Sequence, residues 1–408
     1  ILVVYRLGSA IPVPFITGSA LSQMFSNGNM LSYLDMMSGG ALSRCTLFAL
    51  GVTPYINASI IVQLLTVAIP SLENIAKEPD GQNKLQQITR YAGGVIALVM
   101  SLGYYFVVRN MGALKYTTGA AGIFTAVVII ATFTAGAQLI TWCGEQIDDK
   151  GIGNGLSLLI FSSIVSNWSG VYTTVTGLLT RAAAGETKFY ILLPLLVVLA
   201  LVVIVFIVIM TNAERRITIQ YAKRVVGRKQ MGGQNSYLPL KLNMSGVMPI
   251  IFASALVSIP GTIGSFLQID QAAHPFWYAF FHTFNYTSAL YVVIYLLLIL
   301  AFNYFYVAIQ YNPVEIANNL RRNNGSIPGF RPGKPTSDFL TRTLNKITLI
   351  GAIFLAAVAV LPIILGNLTG MSIQLGGTSL LIVVGVALDT TRSLDSFMTM
   401  RNHKGFLG

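Results

Sequence analysis

The stretch "FYILLPLLVVLALVVIVFIVIM", Phe189 to Met210, runs for 22 residues without a charged side chain. A helix needs about 20 apolar residues to cross a hydrocarbon core ~30 Å thick. Few soluble folds can hide so long an uncharged run, and this one does not stand alone. Hydrophobic residues make up 54% of the 408-residue chain and charged ones only 10%, the balance of a polytopic membrane protein. The apolar runs are continuous and lack period-2 alternation, so the expected fold is all-α and not a barrel.

Ten membrane spans are expected, near 1–19, 46–69, 91–108, 119–143, 154–178, 189–211, 246–266, 288–311, 342–365 and 376–397. A half-helix over about 30–45 precedes the second. The short loop "LTRAAAGETK" (179–188) divides five spans from five. We therefore expect an amino-terminal half (1–178), a hinge loop (179–188) and a carboxyl-terminal half (189–408). Paired bundles of this kind suggest pseudo-symmetric inverted repeats. The chain begins at Ile1 without an initiator Met, which reads as the loss of an amino-terminal tail.

Charge assigns the sides. Of 26 Lys and Arg, 20 fall after even-numbered spans or in the tail, five fall after odd-numbered spans, and Arg6 sits in the first span. The positive-inside rule then puts the even loops and both termini in the cytoplasm. Two cytoplasmic loops exceed what a turn requires. Asn212 to Ser245 carries Arg215, Arg216, Lys223, Arg224, Arg228 and Lys229; Asn312 to Thr341 carries Arg321, Arg322, Arg331 and Lys334. Two basic loops on one face suggest a dock for a large acidic partner, a ribosome or a soluble motor. "TIQYAKR" reads as part of a hairpin, and "GFRPGKP" as a tight loop presenting Arg331.

Little catalytic chemistry is present. Cys45 and Cys143 form neither a disulfide framework nor a metal motif, and HExxH is missing. His274, His282 and His403 lie in an outer loop and the tail, so no span offers a base to a serine nucleophile. "GIGNG" (151–155) lacks the strand and the GK[ST] ending of a phosphate cradle and reads as a cytoplasmic turn capped by Asn154. Asp389, three residues before Arg392, is near the end of the last span; mid-span acids, the mark of ion-coupled transport, are nearly missing. A small-solute secondary transporter remains the competing reading, because it too would use inverted repeats and a broken helix.

The broken helix is the anomaly. Leu34, Asp35, Ser38, Gly39, Gly40 and Arg44 precede a proper span, yet charge and paired glycines suit no lipid-facing helix. Irregular backbone is tolerated at membrane depth only against protein or water.

Five segments now matter together: "MSGGALSRCTLFALGVTPYINASIIVQLL" (37–65), "GEQIDDKGIGNGLSLLIFSSIV" (144–165), "NMSGVMPIIFASAL" (243–256), "GFRPGKPT" (329–336) and "LGGTSLLIVVGVALD" (375–389). In this order and at these spans they resemble the bacterial SecY family, the channel subunit of the general protein translocon. The resemblance covers essentially the whole chain; Val52, where isoleucine would suit a pore ring, and Cys45 depart from it.

The resemblance implies a passive protein-conducting channel without cofactor, metal or catalytic residues, in the bacterial inner (plasma) membrane. The half-helix becomes a plug folded into an outer funnel. Val52 and Ile56 of span two, Ile160 and Ile164 of span five, Ile251 of span seven and Ile382 of span ten become one mid-membrane ring. An aliphatic ring packs around any extended chain and resists wetting when empty. Asn57, Ser59 and Gln63 on span two and Ser254 and Ser258 on span seven become a lateral gate, a seam of small and polar residues. The implied partners are the small membrane subunits SecE and SecG, the cytoplasmic ATPase SecA, the ribosome, signal peptides and nascent chains, and the lipid bilayer.

Overall fold

The computed structural model describes residues 1–17, 35, 38–78, 80–110, 112–166, 172, 175–177, 179–180, 183, 188–221, 224–226, 229–231, 235–267, 276–277, 280–281, 288–369 and 377–402. Twelve helices and five short strands account for most of these residues.

Helix α1 (Leu2–Gly8) stops early. The first span was expected to run to 19, but Pro12 and Pro14 cannot donate to a helix ladder and push their predecessors out of helical geometry. The chain instead bridges Pro12 to Thr46 and Ile16 to Leu114. Helix α2 (Thr53–Ala68) starts with Pro54 inside its first turn. It bends by 105° into α3 (Pro70–Lys77), where Ile69 is extended and Pro70 opens the new helix.

Helices α4 (Gly81–Asn110) and α5 (Gly119–Lys150) are long, apolar and antiparallel neighbours. Between the first part of α4 and the last part of α5, Arg90 Nε meets Glu145 Oε1 at 3.0 Å. The 151–155 turn follows. Asn154 Oδ1 accepts the Ser157 N–H at 3.0 Å, the cap expected from sequence, and Asp148 Oδ1 accepts the Gly155 N–H at 2.6 Å. Burial raises the Asp148 carboxyl above its ordinary range, while that N–H pulls it back. Helix α6 (Gly155–Ser166) covers the described part of span five.

In the second half, α7 (Lys188–Asn212) contains the uncharged run, and α8 (Met248–Leu267), α9 (Ala289–Gln310), α11 (Lys334–Thr369) and α12 (Gly377–Asn402) stand at spans seven to ten. Among the described residues, five helices are long and apolar enough to cross a membrane by themselves, six if α2 and α3 count as one bent span. Helices α6 and α8 are apolar but shorter.

The helices close into a circuit. Around it, α2 packs on α4, α4 on α5, α5 on α6, α6 on α12, α12 on α11, α11 on α9, α9 on α8, and α8 back on α2. The amino-terminal and carboxyl-terminal groups touch through α6–α12 on one side and through α8 against α2 and α4 on the other. Both junctions are lighter than the α2–α4, α4–α5, α8–α9 and α9–α11 packing.

The two long basic loops share one body. Strand β1 (Glu214–Tyr221) pairs antiparallel with β4 (Asn235–Lys241), with Ile217 opposite Leu238. Between them, β2 (Arg224–Val226) and β3 (Lys229–Met231) form the tip. The other edge of β1 takes β5 (Gly325–Ser326) from the second loop, so the sheet order is β4-β1-β5. Alternation sends Ile217 and Ile219 inward, and Pro239 sits on an edge strand, where a missing donor is tolerated. Helix α10 (Pro313–Arg322), capped by Asn312 Oδ1, lies beside it. Ile217, Leu240, Ala317, Ile327, Leu340, Leu344 and Ile347 make its own small core on the amino-terminal part of α11.

Candidate functional site

A single apolar cluster fills the centre of the helix circuit. Val52, Ile56, Ile160, Ile164, Ile251 and Ile382 all belong to it, and each is between 3% and 8% exposed. These six come from four helices far apart in sequence. Helical spacing explains each pair: Val52 and Ile56, and Ile160 and Ile164, are four apart and share a face. Around them lie other aliphatic side chains and Tyr5, Phe48 and Phe252. The arrangement is made of branched aliphatic side chains. It offers a deformable aliphatic surface.

The segment before α2 lies between α6 and α4: Gly39 is against Ser163, while Leu42 and Cys45 belong to a second apolar cluster with Ala97, Tyr104, Ile129 and Phe133. Leu34 and most of the expected half-helix lie outside the described residues. Asp35 is helical, but 38–45 is a run of turns. The reason is in the backbone: Gly39, Gly40 and Cys45 have φ of 71°, 78° and 48°, left-handed values that interrupt a right-handed helix. Ser38 to Leu42 are buried all the same, while Arg44 is exposed.

Hydrogen bonds compensate that burial. Asp35 Oδ1 accepts the Ser43 N–H at 2.7 Å, and the Asp35 carbonyl accepts Gly40 N–H at 2.8 Å and Ser38 Oγ–H at 2.9 Å. Thr46 Oγ1 donates to the Ala41 carbonyl at 3.2 Å. Glycine is required at 39, where a Cβ would lie 2.9 Å from the Ser163 carbonyl oxygen of α6. Ser163 also meets Tyr5 of α1, oxygen to oxygen at 2.5 Å, and Tyr5 stacks on Phe48 with centroids 5.6 Å apart. On the opposite flank Tyr104 of α4 donates to the Leu42 carbonyl at 2.7 Å. Sequence reading missed Tyr5 and Tyr104. The available signal was a phenol inside an apolar span, a group that normally seeks a partner when buried.

Helices α2 and α8 are in contact, and of the polar residues expected along them the serines and Gln63 bond within their own helices. Ser254 and Ser258 are buried and donate to the carbonyls of Ile251 and Ala255 in their own helix, at 2.9 and 2.6 Å. Gln63 Nε2 donates to Ser59 Oγ at 3.3 Å, also within one helix. Asn57 Oδ1 is buried without a partner, a polar group held at a cost. Hydroxyls satisfied locally leave two helix faces free to part.

On the sheet body Arg215, Arg216, Arg321, Arg322, Arg331 and Lys334 are all exposed. Arg216 Nε is engaged by Glu214 at 2.6 Å. The Arg331 carbonyl accepts Thr336 Oγ1–H at 2.8 Å, pinning the loop between Gly329 (φ 86°) and Gly333 (φ 107°). Arg224 and Lys229 occupy β2 and β3, and Lys223 and Arg228 lie outside the described residues. At the end of the last helix Arg392 meets Asp389 at 3.7 Å, as the spacing suggested, and also donates to Asn212 Oδ1 at 2.6 Å.

Comparison with known proteins follows this geometry. The SecY family model matches residues 46–391. "Protein translocase subunit SecY" of Mycobacterium tuberculosis is 39% identical over 426 residues, covering 100% of this chain and 95% of that protein. The proteins of the same name from Halalkalibacterium halodurans and Aquifex aeolicus are 40% and 41% identical, covering 100% and 99% of this chain and 94% of each relative. Among solved structures, "The structure of a protein conducting channel" superposes with a TM-score of 0.64 at 17% identity, covering 100% of this chain and 92% of that one. Canine Sec61, described in a ribosome-channel complex from the endoplasmic reticulum, gives 0.62 at 16%, with the same coverage. The transporter reading finds no support in these relatives. With its family model spanning most of the sequence and relatives near two-fifths identical end to end, the chain belongs to the SecY family of protein translocase subunits.

Proposed function

We propose that this multi-pass membrane protein is a passive channel for unfolded polypeptides, gated at its centre and along one side. One observation supports the reading: Val52, Ile56, Ile160, Ile164, Ile251 and Ile382, set far apart in sequence, share one buried apolar cluster within a closed circuit of helices. Val52, Ile56, Ile160, Ile164, Ile251 and Ile382 form the seal, which closes on itself at rest and around an extended chain in transit. Residues Asp35 and Ser38–Arg44 act as the plug. The halves 1–178 and 189–408 move about the 179–188 loop, and α2 and α8, with Asn57, Ser59, Gln63, Ser254 and Ser258, part to release apolar segments into lipid. Energy comes from outside. The basic cytoplasmic body receives a ribosome or the ATPase SecA, with SecE and SecG as membrane neighbours, and both termini lie on that side. The ribosome-bound state of the canine relative supports the docking side of this reading.

Cysteines replacing Ser59 and Ser254, with neighbouring pairs one turn either way, test the gate. A disulfide holds its Cα atoms within about 7 Å, and a signal helix is roughly 10–12 Å across. The short bridge is expected to block export and membrane insertion, and a long flexible crosslinker to restore them. Locked channels that still insert signal anchors would falsify the gate.

A further inference from the structure

Tyr104 of α4 is 1% exposed, deep in the amino-terminal half. Its hydroxyl donates to the Leu42 carbonyl at 2.7 Å and stands 3.2 Å from Cys45 Sγ. The same carbonyl accepts the Cys45 N–H at 3.1 Å, so the phenol grips the turn on which the plug segment ends. The ring is fixed in turn: it meets Phe133 of α5 edge-on, centroids 5.2 Å apart at 73°. The opposite flank of the segment meets Ser163 through close packing at Gly39.

We propose that Tyr104 is the latch of the plug, a positioning residue that favours the closed channel without touching the chain in transit. The inference rests on the plug reading of Asp35 and Ser38–Arg44. A plug that leaves takes Leu42 with it and leaves the phenol only the weakly accepting Cys45 Sγ in an apolar surround, where a poorly satisfied hydroxyl is costly. The penalty falls only on the open state. Because the phenol sits on a helix packed between α2 and α5, the scaffold bears the load and the plug stays free to move as a unit.

Tyr104→Phe keeps the ring and removes the bond. In the full chain, purified with its membrane neighbours and reconstituted, resting ion conductance is expected to rise about two- to tenfold, the worth of one neutral hydrogen bond. Cys45 alkylation by a small maleimide, read by peptide mass spectrometry, should quicken by a similar factor. Phe133→Leu, which loosens the packing but keeps the phenol, should leave both nearer wild type. A merely structural role would lower thermal stability in both variants equally and leave Cys45 protected. Deleting Ser38–Leu42 separates the two claims: if the deletion leaks while Tyr104→Phe stays tight, the latch is wrong and the plug stands. If neither leaks, both fail. Should Tyr104→Phe not fold, wild-type channels given a synthetic signal peptide must expose Cys45 to the maleimide; continued protection overturns the latch.

Discussion

The six residues of the proposed ring and the proposed plug segment are both largely buried, yet they are held in opposite ways. The ring is six branched side chains in an apolar cluster, stabilised by contact area at about 25 cal/mol per Å². Such contact has no preferred direction and re-forms around whatever passes. The plug segment is held by directed bonds from Asp35, Thr46 and Tyr104 to backbone groups. Each is worth about 0.5–1.5 kcal/mol net and exists in one geometry only. A seal must conform, whereas a stopper must fit one place and come away whole.

The largest test of that contrast removes apolarity from the ring. Replacing Ile56, Ile160 and Ile251 together with Asn wets the constriction, and the resting channel should conduct ions continuously in planar bilayers. Silent membranes from that variant would end the pore assignment. Next comes Gly136→Ala on α5, where the new Cβ would overlap the Leu47 carbonyl oxygen in the strap between plug and α2. Backbone cannot give way there, so a loss of about 1–3 kcal/mol of stability is expected, read as a lowered unfolding midpoint in detergent. Asp35→Ala probes one directed bond. It should raise the leak by no more than about tenfold, and a leak as large as that of the triple variant would erase the distinction between seal and stopper. The smallest effect belongs to Arg331→Glu, remote from both. It should slow partner-driven translocation through weaker encounter, with resting conductance unchanged.

How far these regions could be read from sequence differs for physical reasons. The shared burial of these six side chains was legible because helical spacing puts Val52 with Ile56 and Ile160 with Ile164, and five ordered motifs supplied the matching of spans. The hairpin of the first loop showed in its alternation at Ile217 and Ile219. Span one was overread because its apolar composition hid the two prolines that end α1. The plug was recognised as irregular from Gly39 and Gly40, but its restraints were invisible: Leu42 and Tyr104 are 62 residues apart, and Tyr5 and Ser163 are 158 apart. No local pattern records such pairings. Strand β5 has two residues, Gly325 and Ser326, too few to show a period.

That two-residue strand has a consequence for how the cytoplasmic face is recognised. Because β5 adds to β1, the loops around 212–245 and 312–341 are one surface with a fixed spacing between their cationic groups. A ligand that touches one loop meets the second already in place, at an effective concentration set by the sheet and not by a flexible linker. The ordering that separate loops would undergo on binding has been completed during folding. Affinity at this face should therefore depend steeply on the pairing of Gln220 with Ser326, two uncharged residues that contact no partner at all.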